Sequence, residues 1–392
     1  MDRSIIHLNV ADFAAAVERL LDRRLTGRPL IVAPEAAPRA TVYDMSEEAY
    51  QAGVRKGMPL RRAARLCRDA PILPPQPQRY EQAMADLLRQ ALPYSPLVEP
   101  GECDGHLFVD VSRTSRLFGP PVDVAFRLRR ETRQRLGLDP IWSLAANKLV
   151  AKVATRMVKP RGEYIVPPGD EEALLAPLPL WLIPGFEAPD LIRLGEFNLT
   201  RVDQLRRLGS HRLALLFGRR GAFLEASLRG QDNTPVLSAG ARPPRVVLDH
   251  TFGTDAHAPA QAEAALSVLL EEAGRRLRRL GRAAGLAAVT VTYSDGRRCT
   301  RQVKTDPPTA NELDLFPLAS RVLHLAWTRR VRLRHLRLTC DRLVHPPAQR
   351  PLFSEDACTQ TRHARLIAAV DHIRERFGGA AVQTGRRLAA VP

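Results

Sequence analysis

A chain of 392 residues is longer than one ordinary hydrophobic core can organise, and it calls for roughly two to four domains. Its formal charge of +17, from 59 Lys and Arg against 42 Asp and Glu, exceeds what solubility requires and suits a polyanionic partner: nucleic acid first, an anionic membrane surface second. The five cysteines are widely spaced without a Cys-x-x-Cys pair, which argues against a disulfide framework or a zinc site. No stretch approaches the roughly 18 apolar residues of a membrane span, so the expected location is cytoplasmic.

Residues 5–10 read as a short apolar strand that turns into an Ala-rich helix. Residues 30–33 and 40–43 read as two short strands separated by the Pro-containing turn 34–38, and a compact helical segment follows over 46–63. After the Pro-rich connection 71–77, residues 79–92 place Tyr80, Ala83, Leu87, Leu88 and Ala91 on one side of a helix. A helix beginning near residue 147 has Leu149, Val153 and Val158 as its buried face and Lys148, Lys152 and Arg156 as a solvated one. From residue 173 the pattern is one of small helices, and 238–245 is a Gly/Pro/Arg linker. Beyond it come a strand at 246–252, a helix at 260–281, the alternation Val289, Val291 and Tyr293 against Thr290 and Thr292, and an Asp295-Gly296 turn. A strand at 297–304, a helix at 312–327 and a strand at 331–340 complete a βαββαβ order, with helices expected on one face of a four-stranded sheet. A last helix spans 364–378.

Several stretches together carry a family resemblance. Residues 5–18, Ile-Ile-His-Leu-Asn-Val-Ala-Asp-Phe-Ala-Ala-Ala-Val-Glu, resemble the opening motif of the Y-family, or translesion, DNA polymerases, His-Ile-Asp-Met-Asp-Ala-Phe-Phe-Ala-Ser-Val-Glu. Residues 46–63 resemble the fingers motif, matching its Gly-Val-Arg-x-Gly-Met-Pro half closely. Residues 143–162 are similar to the Ala-x-Asn-Lys-Leu-x-Ala-Lys segment that ends in Lys-Pro-x-Gly. Ile183-Pro184-Gly185-Phe186-Glu187 resembles the turn of a helix-hairpin-helix, whose backbone amides suit a DNA phosphate. The resemblance implies an α+β multidomain right hand: palm over 1–10 and 78–165, fingers over 11–77, thumb over 166–237, little finger over 246–345 and a tail over 346–392.

The resemblance also shows where the chemistry departs from the motif. The first magnesium-ligand position is Asn9, and alignment on Phe108-Val109-Asp110-Val111-Ser112 puts Gly105 and His106 on the other two carboxylate positions. The triphosphate-holding Tyr and Arg correspond to Glu47 and Tyr50, while Lys159 is retained. Two-metal chemistry needs converging carboxylates. Asp104, one residue from position 105, is expected to point to the opposite strand face, and Asp110 is too distant to share ions with it. Taken alone, His106 reads as an isolated surface or core histidine. The expectation is thus no catalytic centre and no cofactor, with magnesium-dependent DNA synthesis as the alternative.

The implied branch is the ImuB-like one, a clamp-binding adaptor for a separate error-prone replicase in damage-induced mutagenesis. DNA contacts are expected at Gly185, Arg297, Arg298, Arg301, Lys304, Arg332, Arg334 and Arg337. Gln349, Leu352 and Phe353 fit the Gln-x-x-Leu-Phe peptide that docks on the bacterial sliding clamp. The implied partners are primer-template or damaged DNA, the clamp, an error-prone replicative-type polymerase and a RecA-like accessory protein, in the nucleoid and not at a membrane.

Overall fold

The computed structural model describes residues 3–34, 40–241, 245–346, 355–378, 381–382 and 385. The chain divides into two compact units, residues 1–241 and 242–392.

The first unit is built around β1 (Ile5–Asn9), whose five residues are all buried, as its apolar run requires of a central strand. Three short strands, β2 (Ile31–Val32), β3 (Asp44–Met45) and β4 (Ile72–Leu73), make a separate small sheet in the order β3-β2-β4. Residues 40–43 do not form the expected strand. The amide of Val42 bonds the Met58 carbonyl at 2.9 Å and Thr41 makes an isolated bridge to Pro59, so β3 partners β2 instead. The main sheet is completed by β5 (Val98–Pro100), β6 (His106–Asp110), β7 (Ile141–Ala145) and β8 (Glu163–Ile165), in the order β5-β6-β1-β7-β8.

Strand alternation separates two faces. Ile6, Leu8, Leu107, Val109 and Trp142 pack under Leu128 and Val124 of the helix Pro121–Leu136 and Ala91 of the helix Pro77–Ala91. His7, Asn9, Phe108 and Ser143 are directed to the opposite face, where His7 stands opposite Phe108 and Ser143 across the neighbouring strands, and Asn9 stands opposite His106 and Ile141. The helix Lys148–Met157 covers this second face and joins a core continuous with the short helices between residues 171 and 228. Its lysines are not all solvated. Lys148 forms a largely buried ion pair with Glu99 at 3.0 Å, and Arg156 donates to the Leu182 carbonyl at 2.7 Å.

The second unit follows the expected βαββαβ order: β9 (Val246–Ala256), the helix Pro259–Arg279, β10 (Ala283–Tyr293), β11 (Arg298–Thr309), the helix Glu312–Ala326 and β12 (Leu333–Val344). The sheet order is β11-β10-β12-β9 and all pairings are antiparallel. β12 therefore splits the parallel pair β9 and β10, and β10 splits β11 and β12, so the two β-α-β halves interlock. Val289, Val291, Tyr293, Leu336 and Leu338 face both helices in one core. The terminal helix Glu355–Phe377 starts earlier than its sequence pattern indicates. It is fastened to this unit by Arg374 on Glu271 at 2.8 Å, a pair almost wholly buried, and by Asp371 on Arg278 at 2.7 Å.

Candidate nucleic-acid interface and the corner around Asn9

The corner between β1 and β6 carries no carboxylate on the three motif positions, and its geometry is closed around that fact. Asn9 is buried, and its Nδ2 finds no hydrogen-bond partner among the described residues. Leaving such a group unpaired costs about 1–3 kcal/mol. Gly105 has φ +77°, and a Cβ there would lie 2.7 Å from the Val10 carbonyl oxygen and 3.0 Å from Phe13. The backbone is held in place by the Val10 amide, which donates to the Gly105 carbonyl at 3.0 Å. A side chain at 105 would thus need both a strained dihedral and a displaced backbone.

His106 is not the isolated histidine that its sequence context indicates. It stacks on His7 with ring centroids 5.0 Å apart, and its Nδ1 lies 3.0 Å from His7 Nε2. His7 Nδ1 lies 2.7 Å from Thr155 Oγ1, which with Ser143 Oγ converges on the Ala151 carbonyl at 2.9 and 2.6 Å. With both hydroxyl protons turned to that carbonyl, Thr155 Oγ1 accepts from His7 Nδ1–H and His7 Nε2 accepts from His106 Nδ1–H; we assign the tautomers from this network. Two full protonations would set two N–H groups against each other. Burial pushes the His7 pKa well below its usual value, with His106 next in effect. Burial likewise lowers His106 to about 4, against the opposing pull of Asp104.

Asp104 lies in the bend before β6 begins, so the strand-alternation argument does not apply to it; its carboxylate accepts from the His106 amide at 3.3 Å. The nearby acids gather elsewhere. Asp44 accepts from the Ala14 amide at 2.9 Å and so satisfies the N-terminus of the helix Phe13–Leu21, with Lys56 at 4.0 Å. Burial, then Asp44 and Glu47, raise Asp12 to about 6. Lys159 is exposed, yet enclosure of its ammonium lowers its pKa, while Asp12 and Asp44 pull the other way. Tyr50 is covered by Arg55 at 3.8 Å from the ring centroid, and Glu47 accepts from Gln51 at 3.1 Å. Magnesium wants an octahedron of oxygens. An unpaired amide, a glycine with no room for a side chain and an imidazole turned to its neighbour do not fit it. Among the described residues no group of three or more His, Cys, Asp or Glu could hold a metal ion.

Gly185 has φ +104°, a backbone conformation that L side chains rarely adopt, and a Cβ there would also meet the Phe223 ring at 2.8 Å. Its carbonyl accepts from Arg220, which also holds Asp190 at 2.8 Å, and exposed Glu187 precedes the helix Ala188–Glu196.

In the second unit the basic residues named from sequence divide into distinct environments. Arg298 and Lys304 stand on the open sheet face through their register with Thr292 and Leu286, whereas Arg301, opposite Val289, projects on the helix side of the edge strand. Arg297 is in the turn and Arg332 is exposed just before β12. Arg334 donates to the Ser294 carbonyl at 2.7 Å, and Arg337 is held by Asp249 at 2.7 and 3.2 Å. His335 shares that carboxylate at 3.1 Å, and these hydrogen bonds outweigh burial to bring Asp249 down to about 2. The pairing acids Asp249 and Asp255, the latter 3.9 Å from Arg334, were not picked out in the sequence, although Asp249 lies directly across from Arg337 in the sheet register. Among the described residues no helix is long and apolar enough to cross a membrane.

The architecture has close counterparts among solved structures. A Y-family DNA polymerase chimera of Dbh and Dpo4 aligns with TM-score 0.75 at 18% identity, covering 87% of this chain and 99% of the other. DinB from Sulfolobus solfataricus aligns with TM-score 0.62, also at 18% identity, covering 88% and 100%. The fold is therefore that of the Y-family DNA polymerases. Residues 8–156 match the impB/mucB/samB family and residues 244–352 its C-terminal domain. A protein named DNA polymerase IV from Desulfatibacillum aliphaticivorans is 32% identical over 380 residues, 97% of this chain and 95% of its own length. Another of that name from Alkalilimnicola ehrlichii is 33% identical over 305 residues, 78% of this chain and 85% of its own. The chain belongs to the impB/mucB/samB family.

Proposed function

We propose that this protein is a DNA-binding, sliding-clamp-docking adaptor in translesion synthesis, of the ImuB-like kind, and not itself a nucleotidyltransferase. The observation that carries the reading is Gly105: its backbone leaves no room for a carboxylate-bearing side chain at a position where the family motif has an acid. DNA is the partner supported by the +17 charge and by Arg298, Lys304 and Arg332 on exposed parts of the C-terminal unit. The other implied partners are an error-prone replicative-type polymerase and a RecA-like protein in the nucleoid. The adaptor contacts the clamp through Gln349, Leu352 and Phe353, which lie outside the described residues. Replacing Leu352 and Phe353 by Ala should abolish clamp binding while leaving the melting temperature and DNA affinity unchanged, because a short linear motif concentrates its energy in a few apolar side chains. A variant that still binds the clamp would place the docking site elsewhere.

A second reading is an active, magnesium-dependent polymerase using deoxynucleoside triphosphates. Two facts favour it: the relatives' names, at 32% identity over nearly the whole chain, and Asp12 and Asp44 lying close enough to Lys159 to act on its charge. Primer extension with magnesium or manganese decides between them. The adaptor gives no extension; incorporation that disappears in Asp12→Ala or Asp104→Ala establishes the polymerase.

A further inference from the structure

The helical region between residues 171 and 228 carries an apolar cleft of about 340 Å³ between the helices Ala188–Glu196 and Gly209–Phe217. Leu194 and Phe217 belong to the core beneath it, while Phe197 and Leu215 on its walls are 71% and 74% exposed. Large apolar side chains left exposed around a concavity cost solubility, and a polar rim gives such a concavity the composition of a binding groove. The volume is within the range of clefts that bind ligands. The rim carries two arginines and one acid. Arg193 and Arg212 line the cleft and have no carboxylate within ion-pairing distance among the described residues. The lining acid Asp190 is already neutralised: against burial, which raises its pKa, the Glu187 amide at 2.9 Å and the Arg220 guanidinium lower it, with the Arg193 charge as the smallest contribution.

From this juxtaposition of apolar walls and a cationic rim, we propose that the cleft docks an acidic amphipathic helix of a partner protein, with its apolar stripe inserted and its carboxylates on Arg193 and Arg212. Helix-in-groove binding reads apolar anchors at i, i+3, i+4 and i+7, and a cleft walled by Phe197 and Leu215 with arginines at its rim offers apolar and cationic groups to such a stripe. A phosphodiester backbone would satisfy the two arginines but has no apolar groups to fill the walls. The inference is independent of the clamp and DNA readings, since it uses other residues.

The test is fluorescence polarisation of the full chain with a labelled helical peptide bearing Leu at i, i+3, i+4 and i+7 and Glu at the exposed positions. The controls are the same composition scrambled and a Lys-for-Glu peptide. The designed peptide should saturate, and both controls should bind about tenfold or more weakly. Leu215→Gln, at an exposed position where folding should be unaffected, should abolish binding. Arg193→Glu with Arg212→Glu should weaken the Glu peptide and strengthen the Lys peptide, an inversion that general destabilisation would not produce. Equal binding of the scrambled peptide, an unaltered Leu215→Gln titration, or competition by an oligonucleotide for the same site would each overturn the proposal.

Discussion

The corner around Asn9 and the open face of the C-terminal sheet both gather polar side chains, and they handle them in opposite ways. In the corner the partners are internal: His106 donates to His7, His7 to Thr155, and Thr155 and Ser143 to the Ala151 carbonyl, and burial keeps both imidazoles below their usual pKa. On the sheet the partners are ionic and solvated, with Arg337 on Asp249 and Lys304 at 3.4 Å from Asp306. The two settings differ in what an added charge costs. An uncompensated charge buried in a packed interior costs about 3–5 kcal/mol, whereas exchanging an exposed ion pair for another anion costs about 0–1 kcal/mol. The corner therefore resists new charge, and the sheet can surrender its carboxylates to a phosphate backbone.

Forcing charge into the corner should have the largest effect. Asn9→Asp, Gly105→Asp and His106→Glu together should cost more than about 4 kcal/mol of stability and give no primer extension, because position 105 is strained and the new carboxylates would be buried, with Lys152, Arg156 and Lys159 offsetting only part of that cost. Gly105→Ala alone isolates the steric part, at about 1–3 kcal/mol by urea denaturation. If Gly105→Ala is as stable as the parent chain, the corner is open after all and the argument against a metal site weakens.

A smaller effect follows from protonation. A histidine whose folded pKa lies below its unfolded value takes up a proton on unfolding. Its contribution is complete above about 6.5 and is lost as pH falls below that, down to about 4 for His106. Asp12, raised to about 6, has the opposite sign: the stability it contributes is full below the unfolded carboxylate value and disappears as pH rises through 6. Acidification from pH 7 to 4 should therefore cost the parent on the order of 1–3 kcal/mol more than it costs His106→Gln. Asp12→Asn should gain stability at pH 7. Histidine resonances followed by NMR supply the direct check, and a His106 that titrates near 6.5 would contradict the buried pairing.

Much of the architecture was legible because it is local. The alternation of Val289, Val291 and Tyr293 with threonines marks a half-buried strand, and the Asp295-Gly296 turn marks a hairpin. The end of β11 was not legible: the strand expected over 297–304 runs on through Pro307 and Pro308 to Thr309, because an edge strand tolerates proline. Nor does any local pattern place β12 between β9 and β10. In the corner, the identities at positions 9, 105 and 106 could be read directly. The His7–His106 contact could not, because 99 residues separate the rings and only the β1–β6 register brings them together. The Asp44 carboxylate at the Ala14 amide is hidden for the same reason, arriving from a different segment.

The finest test concerns the sheet. Each phosphate neutralised by a Lys or Arg adds about 0.9 to the slope of log affinity against log salt on duplex DNA. Arg298 faces solvent on the open side with no carboxylate within ion-pairing distance among the described residues, so Arg298→Ala should flatten the slope by about one unit. Arg337 is a different case. Asp249 grips it with two hydrogen bonds and also engages His335, so Arg337→Ala should change the slope less than Arg298→Ala does. Asp249→Asn removes that competitor; it should release Arg337 to a phosphate, raise affinity at low salt and steepen the slope by up to about one unit. Electrophoretic or anisotropy titrations over a series of salt concentrations give these slopes directly. If Asp249→Asn leaves the slope unchanged while Arg298→Ala flattens it, DNA lies towards the β10–β11 hairpin and away from β9. If neither variant alters it, the open sheet face does not contact DNA, and the exposed arginines on the helix side, Arg301 among them, become the residues to test next.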